Sequence, residues 1–415
     1  MKYDQIIIGG GLSGLVCGIT LAKAGKKVVI FSAGQSSLHF SSGSFDLLGY
    51  DAEGNVITSP MEGVGCLNES HPYKKIGTEN IPSLADEAVA LFDSSSISMK
   101  GDITKNHYRI TPMGMLKPTW LTLSTNATSE EGDTLPYKHV LLANVAGFLD
   151  FPVAFIADSF AKLGVGVKTK DLNVSVLRQR RHSPSEMRSA NIAKELTNDS
   201  VIQELADQLN EISADVEAIY MPSIVGLNEN EVYESLREKV GKPLFMISTL
   251  PPSVSGIHIQ NLLKKEFVRN GGTFISGSKV LEGTIADETV MDIAVSSLPD
   301  ERLTASDFIL ATGSFQSNGL ASNYIKVYEP IFDLDVDAAE KRTDWVDTDV
   351  YKEQPYMSFG VTTNSQLQVQ KAGKTIQNMY AIGSVLSGHN SIKQADGEGV
   401  DIMSALAVAR TILKK

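Results

Sequence analysis

Lys2-Tyr3-Asp4-Gln5-Ile6-Ile7-Ile8-Gly9-Gly10-Gly11-Leu12-Ser13-Gly14 opens the chain, followed by Leu15 to Ala24 and then Lys27-Val28-Val29-Ile30-Phe31. An apolar run, a glycine cluster, a helical run and a second apolar run predict strand, turn, helix and strand. Gly9 suits the tight turn, Gly11 lets backbone amides approach a pyrophosphate, and Gly14 lets the helix pack close to the sheet. The helix N-terminus, with Ser13 in its first turn, supplies N–H groups and the positive end of a dipole. The stretch therefore predicts a bound dinucleotide. An acidic residue usually ends the second strand to hold a ribose hydroxyl, but here the strand closes Ile30-Phe31-Ser32. The adenosine contact falls to Ser32 or to backbone groups, which disfavours a nicotinamide nucleotide and leaves a flavin open.

The rest of the chain is compatible with that start. Its 415 residues and 42% hydrophobic content suffice for two or three domains with a substantial core. No apolar run reaches the roughly 20 residues that span a bilayer, and the opening residues lead straight into a strand, so a cytoplasmic protein without a direct membrane span is expected. Two cysteines, Cys17 and Cys66, exclude a disulfide framework or an iron-sulfur site built from this chain, and no metal site is expected. The formal net charge of −12, with Arg178-Gln179-Arg180-Arg181 the one basic cluster, shows no nucleic-acid footprint.

After the second strand comes Gly34-Gln35-Ser36-Ser37-Leu38-His39-Phe40-Ser41-Ser42-Gly43-Ser44, a small-residue loop able to follow a cofactor with its backbone; Ser41, Ser42 and Gly43 are candidate contacts. The pattern then predicts a separate inserted α/β region, with strands at His139–Asn144 and Val165–Lys168, a helix over Pro152–Leu163, and a charged helical segment near Arg188–Ile212. A strand at Pro243–Ile247 and a helix over Ile257–Arg269 return the chain to the first domain. Two late strands end in glycine turns, Ile309-Leu310-Ala311-Thr312-Gly313 and Tyr380-Ala381-Ile382-Gly383-Ser384, and Gly397-Glu398-Gly399 precedes a small-residue helix from Asp401 to Leu413. Ala311, Gly313, Gly383, Ser384, Gly397 and Gly399 join the expected cofactor contacts. The expected architecture is α/β, a Rossmann-like FAD/NAD(P)-binding domain (1–83 and 234–415) with an inserted α/β cap or substrate domain (84–233).

These glycine turns together resemble the two-dinucleotide-binding-domain flavoproteins. Leu38-His39-Phe40-Ser41-Ser42-Gly43-Ser44, Arg109-Ile110-Thr111-Pro112-Met113-Gly114 with Pro118-Thr119-Trp120-Leu121, Leu250-Pro251-Pro252-Ser253-Val254 with Gly256, and Phe359-Gly360-Val361-Thr362-Thr363 resemble the B-subunit family of anaerobic glycerol-3-phosphate dehydrogenase over nearly the whole chain. The resemblance implies a flavoprotein component of a quinone-linked complex that oxidises sn-glycerol 3-phosphate to dihydroxyacetone phosphate. It also implies a larger, FAD-bearing catalytic partner, and a further partner that carries iron-sulfur clusters and attaches the complex to the inner membrane. The family is described with FMN in this component, whereas the pyrophosphate-type glycines favour FAD; the expectation is FAD, with FMN the alternative.

Oxidising a secondary alcohol on flavin needs a base for the hydroxyl proton and cations for the substrate phosphate. His39 is the first candidate for base or flavin contact, including a covalent link, and His389, before the last helix, is the second. Arg109, grouped with the catalytic candidates, lies with His107 and Lys117 in the inserted region; those two, with Arg180 and Arg181, are candidate substrate ligands. His258 is expected on a helix face without a catalytic duty. A flavin-binding scaffold supporting the larger catalytic partner, and a fumarate-reductase-like or ketosteroid-type reductase, are the competing readings.

Overall fold

The computed structural model describes residues 2–228 and 230–415. Strands Lys2–Ile8 and Val28–Ser32 flank the glycine turn as expected, joined by the helix Leu12–Lys23. Ten of that helix's twelve residues are buried, so it lies inside its unit and is not an amphipathic surface helix. Lys2–Ile8 pairs in parallel with Val28–Ser32 on one side (Ile8 opposite Phe31) and with Leu298–Leu310 on the other (Ile8 opposite Leu310). Thr273–Ser276 adds beyond Val28–Ser32, and Lys374–Ala381 beyond Leu298–Leu310, both in parallel. Numbered along the chain, the five parallel strands run 3-2-1-4-5. The order reverses between the strands that end at Ile8 and Leu310, the place where open α/β sheets bind ligands. Val280–Ala286 and Thr289–Val295 extend the sheet as an antiparallel meander with the first half of Leu298–Leu310. The C-terminal helix Gly397–Leu413 packs on Leu12–Lys23 and on Ile81–Ser94.

A second unit holds a four-stranded parallel sheet in the order Gly166–Leu172, His139–Val145, Ala218–Pro222, Leu244–Ile247. Its core includes Val140, Leu142, Phe160, Ile192, Leu205, Ile219, Leu236 and Met246. Helices Val153–Lys162, Asp199–Ile212 and Glu231–Lys239 contribute to that core.

The division falls at other places than the sequence suggests. The first unit comprises 1–37, 45–97 and 263–415, the second 38–44 and 98–262, in place of boundaries at 83/84 and 233/234. Helix Ile81–Ser94 stays with the first unit because it packs on the C-terminal helix, where the Arg410 guanidinium meets Glu87 at 2.9 Å. Strand Leu244–Ile247 stays with the second because it extends that sheet, Tyr220 opposite Phe245; the chain passes between units within helix Val254–Arg269.

Two glycines hold the switch point closed by steric exclusion. At Gly9, where φ is +124°, a Cβ would lie 2.0 Å from the Ala311 carbonyl oxygen, and at Gly14 one would lie 2.1 Å from the Gly9 carbonyl oxygen. The first helix, the first strand and the fourth strand thus meet backbone to backbone. Gly9→Ala is expected to destabilise the apoprotein by about 3 kcal/mol or more, combining positive-φ strain with backbone overlap. Gly25→Ala, also at positive φ but with nothing within 4 Å, isolates the strain alone. Denaturant titration of both variants checks this, and equal losses would refute the packing argument.

Candidate active site

The N-terminus of helix Leu12–Lys23 is buried and carries neither a side-chain cap nor an acidic residue in its first turn. Such an end leaves backbone donors to be satisfied by a ligand. Gly11 is extended (φ −79°), and a Cβ there would find only the Ser36 hydroxyl, at 3.7 Å, so the space in front of the helix is open. Gly10, by contrast, is packed on Ser32 and Phe274. Thr312, beside Gly9, has a buried hydroxyl with no hydrogen-bond partner. Open backbone, uncapped dipole and an unsatisfied hydroxyl together fit the diphosphate of a dinucleotide.

The other expected contacts in this unit fall into two groups. Ala311 and Gly313 (φ +79°) follow the fourth strand; the Ala311 N–H donates to Ile8 across the sheet. The Ser32 hydroxyl donates to the Gly34 carbonyl. Gly383 (φ +74°) follows the fifth strand and faces Ser13 and Asp401, where a Cβ would lie 2.6 Å from Ser13 Oγ and 2.4 Å from Asp401 Oδ1. The Ser384 N–H and hydroxyl both donate to Asp401 Oδ1, at 2.9 and 3.1 Å. Burial raises the Asp401 carboxyl to about 6 against the opposing Ser384 bonds. Gly397 packs on Ser391 and Gly399 on Tyr73 and the backbone at 46–47; the Gly399 N–H is taken by the Asp46 carbonyl. Both glycines therefore admit neighbouring chain at the start of the last helix.

That helix start holds a cluster that the local sequence does not announce. Asp396 is fully enclosed between two imidazoles, His71 Nε2 at 2.9 Å from Oδ2 and His389 Nδ1 at 3.3 Å from Oδ1. The Tyr73 N–H donates to His71 Nδ1, so His71 carries its proton on Nε2 and donates it to Asp396. Burial pulls His71 below its ordinary value despite that bond. Burial also acts to lower His389, but the Asp396 carboxylate outweighs it and raises the imidazole's pKa. Burial alone would raise Asp396, yet the two imidazoles hold it well below the usual carboxylate range. Ala395, in the left-handed region at φ +49°, turns the chain immediately before it. Of these residues only His389 was expected at the site. His71 lies 325 residues from Asp396, so no spacing pattern could link them.

In the second unit, His39 sits on the short turn Ser37–Phe40, half-buried. Burial lowers its imidazole, opposed by a hydrogen bond with Gln260. Its carbonyl accepts from Ser253 N–H at 2.7 Å. Gly43 N–H donates to Ser41 Oγ at 3.2 Å, the Ser42 carbonyl accepts from Asn126 and Ser248, and Gly43 (φ +78°) packs on Ser255 and Leu123. His107 is buried with Nε2 2.8 Å from the Thr122 hydroxyl, a satisfied core position. Arg109 and Lys117 face each other as a cross-strand pair between His107–Ile110 and Leu116–Thr119. Arg180 is engaged by Glu186 and Glu195, whereas Arg181 gives only Nη1 to Asn173, at 2.9 Å, and keeps Nε and Nη2 buried without partners. His258 is held through both nitrogens by Leu227 and Asn230. Among the described residues no group of three or more His, Cys, Asp or Glu side chains could hold a metal, and no helix is long and apolar enough to cross a membrane.

Comparison with known proteins agrees with the geometry. A family model described as FAD binding domain matches residues 4–400. The B subunit of anaerobic glycerol-3-phosphate dehydrogenase from Yersinia enterocolitica is 40% identical over 417 residues, covering 100% of this chain and 98% of the relative. The protein of the same name from Pectobacterium atrosepticum is 39% identical over 420 residues, with 100% and 99% covered. Among solved structures, 3-ketosteroid delta1-dehydrogenase from Sterolibacterium denitrificans aligns over 100% of both chains at 10% identity, with a TM-score of 0.46 too low to carry weight. The class is thus a FAD-binding flavoprotein oxidoreductase with a Rossmann-like domain, and FAD is its cofactor. Within that class, the chain belongs to the B-subunit family of anaerobic glycerol-3-phosphate dehydrogenase.

The Asp396 cluster makes a pH-resolved prediction. His389, with a raised folded value, contributes stability fully present below the ordinary imidazole value of about 6.5 and lost as pH rises through its folded value. Asp396, with a depressed folded value, contributes stability present above the ordinary carboxyl value of about 4 and lost as pH falls through its folded value. Asp396→Asn should therefore cost most between about pH 4 and 6.5, by ~3 kcal/mol, with a smaller cost on either side. Chemical denaturation across that range measures it; a cost that does not vary with pH would contradict the pairing.

Proposed function

We propose that this chain is the flavoprotein component of a quinone-linked complex that oxidises sn-glycerol 3-phosphate to dihydroxyacetone phosphate. Its partners in this reading are a larger catalytic flavoprotein and an iron-sulfur protein, which holds the assembly at the inner membrane from the cytoplasmic side. The names and full-length match of the relatives support the substrate class, and the chain's two cysteines, one buried and one exposed, suit electrons leaving through a cluster on another protein of the complex.

The observation that carries the chemistry is the His389–Asp396 pair at the start of the C-terminal helix. FAD, when bound, supplies the hydride acceptor. The protein's task is then to remove the hydroxyl proton and to hold the phosphate. His389 donates Nδ1–H to Asp396, which leaves Nε2 as the proton acceptor and makes it more basic, the same division of labour as in carboxylate-backed histidines elsewhere. His39 lacks such a carboxylate, and its lowered value makes it the weaker base.

Anaerobic mixing of the FAD-loaded chain with glycerol 3-phosphate should bleach the flavin's visible band, with a rate whose acid limb lies above the ordinary imidazole value because Asp396 raises His389. His389→Gln should slow bleaching about a hundredfold and abolish that limb. Bleaching in the His389→Gln variant at the full rate would remove His389 as base. Absence of bleaching in the FAD-loaded native chain would assign turnover to the larger catalytic partner and leave this chain a supporting flavoprotein.

A further inference from the structure

The fifth parallel strand runs out in Gly383-Ser384, and a carboxylate reaches that point from the C-terminal helix. Asp401 Oδ1 and Ser13 Oγ flank the single point where a Gly383 Cβ would stand, so the carboxylate lies against the first turn of the helix that faces the diphosphate. Ser384 spends both its N–H and its hydroxyl on Oδ1 and fixes the orientation, leaving Oδ2 outside these bonds. The sheet order sets which half of the cofactor lies there. Strand Val28–Ser32, the adenosine side by the general rule for this fold, is on one side of Lys2–Ile8, and the strands ending at Leu310 and Ala381 are on the other. A diphosphate offers only acceptors and negative charge, so the neighbouring groups able to pair with a carboxylate are hydroxyls of the sugar-alcohol chain that joins the diphosphate to the ring system.

We propose that Asp401 is a cofactor-binding residue whose Oδ2 accepts a hydrogen bond from a ribityl hydroxyl of FAD, with Ser384 as its positioning residue. The inference rests on FAD binding alone and is independent of the substrate. Asp401→Asn keeps an oxygen for the Ser384 donors and replaces the outward acceptor with a donor. Titration calorimetry should show FAD binding weakened about tenfold or more, the scale of a hydrogen bond to a charged group, while ADP, which carries adenosine and diphosphate but no ribityl chain, changes by less than about twofold. Equal weakening of FAD and ADP, or none of either, would overturn the assignment and leave Asp401 a cap of the Gly383–Val385 turn. Should the variant fail to fold, the native chain can be titrated with FAD analogues lacking single ribityl hydroxyls. One of them is expected to lose the same factor, and no loss with any of them would overturn the proposal.

Discussion

The structure depends on a place where three pieces of backbone touch with no side chain between them. Gly9 lies on the Ala311 carbonyl and Gly14 on the Gly9 carbonyl, so the first helix begins directly over the crevice between the strands ending at Ile8 and Leu310. Because no side chain caps that helix, its donors and dipole remain directed at the crevice. We propose that the flavin's diphosphate satisfies them, with the turn at Gly383 and the last helix arranged around the same crevice.

Two carboxylates near the start of the C-terminal helix show how one element can hold opposite shifts in proton affinity. Asp396 sits between two imidazoles and stays ionised, while Asp401, lifted by burial and by repulsion from Asp396, is opposed by the Ser384 donors and the more distant charge of His389. The partners, not the residue type, divide their roles. Asp396 fixes the protonation of His71 and His389, and Asp401 is left for a ligand that donates hydrogen bonds.

The sequence made legible what is local. The strand, turn and helix from Lys2 to Ser32 and the glycine turns at Ala311–Gly313 and Gly383–Ser384 follow from periodicity and conformational freedom within a few residues, and each stands where expected. Less legible were features set by remote partners. Helix Ile81–Ser94 was cut by the expected boundary because its packing partner lies about 300 residues on, and strand Leu244–Ile247 carries no mark of which sheet it joins. His71 became part of the candidate site only through Asp396, and His107, read as a ligand, is satisfied by a threonine on a strand of another sheet. Ser384 reads as a cofactor contact in its own right; the carboxylate it orients, Asp401, is 17 residues on, and only the register of the last helix brings the two together.

The central claim is that the open backbone at Gly11 is kept for the diphosphate and has no role in the fold itself. Gly11→Asp tests it directly, since the position is extended and unobstructed, and an aspartate there would cap the helix while placing negative charge where the cofactor's must go. The Gly11→Asp apoprotein should melt at or above the native temperature and take up no FAD at concentrations that saturate the native chain. A Gly11→Asp protein that binds FAD with native affinity would contradict it.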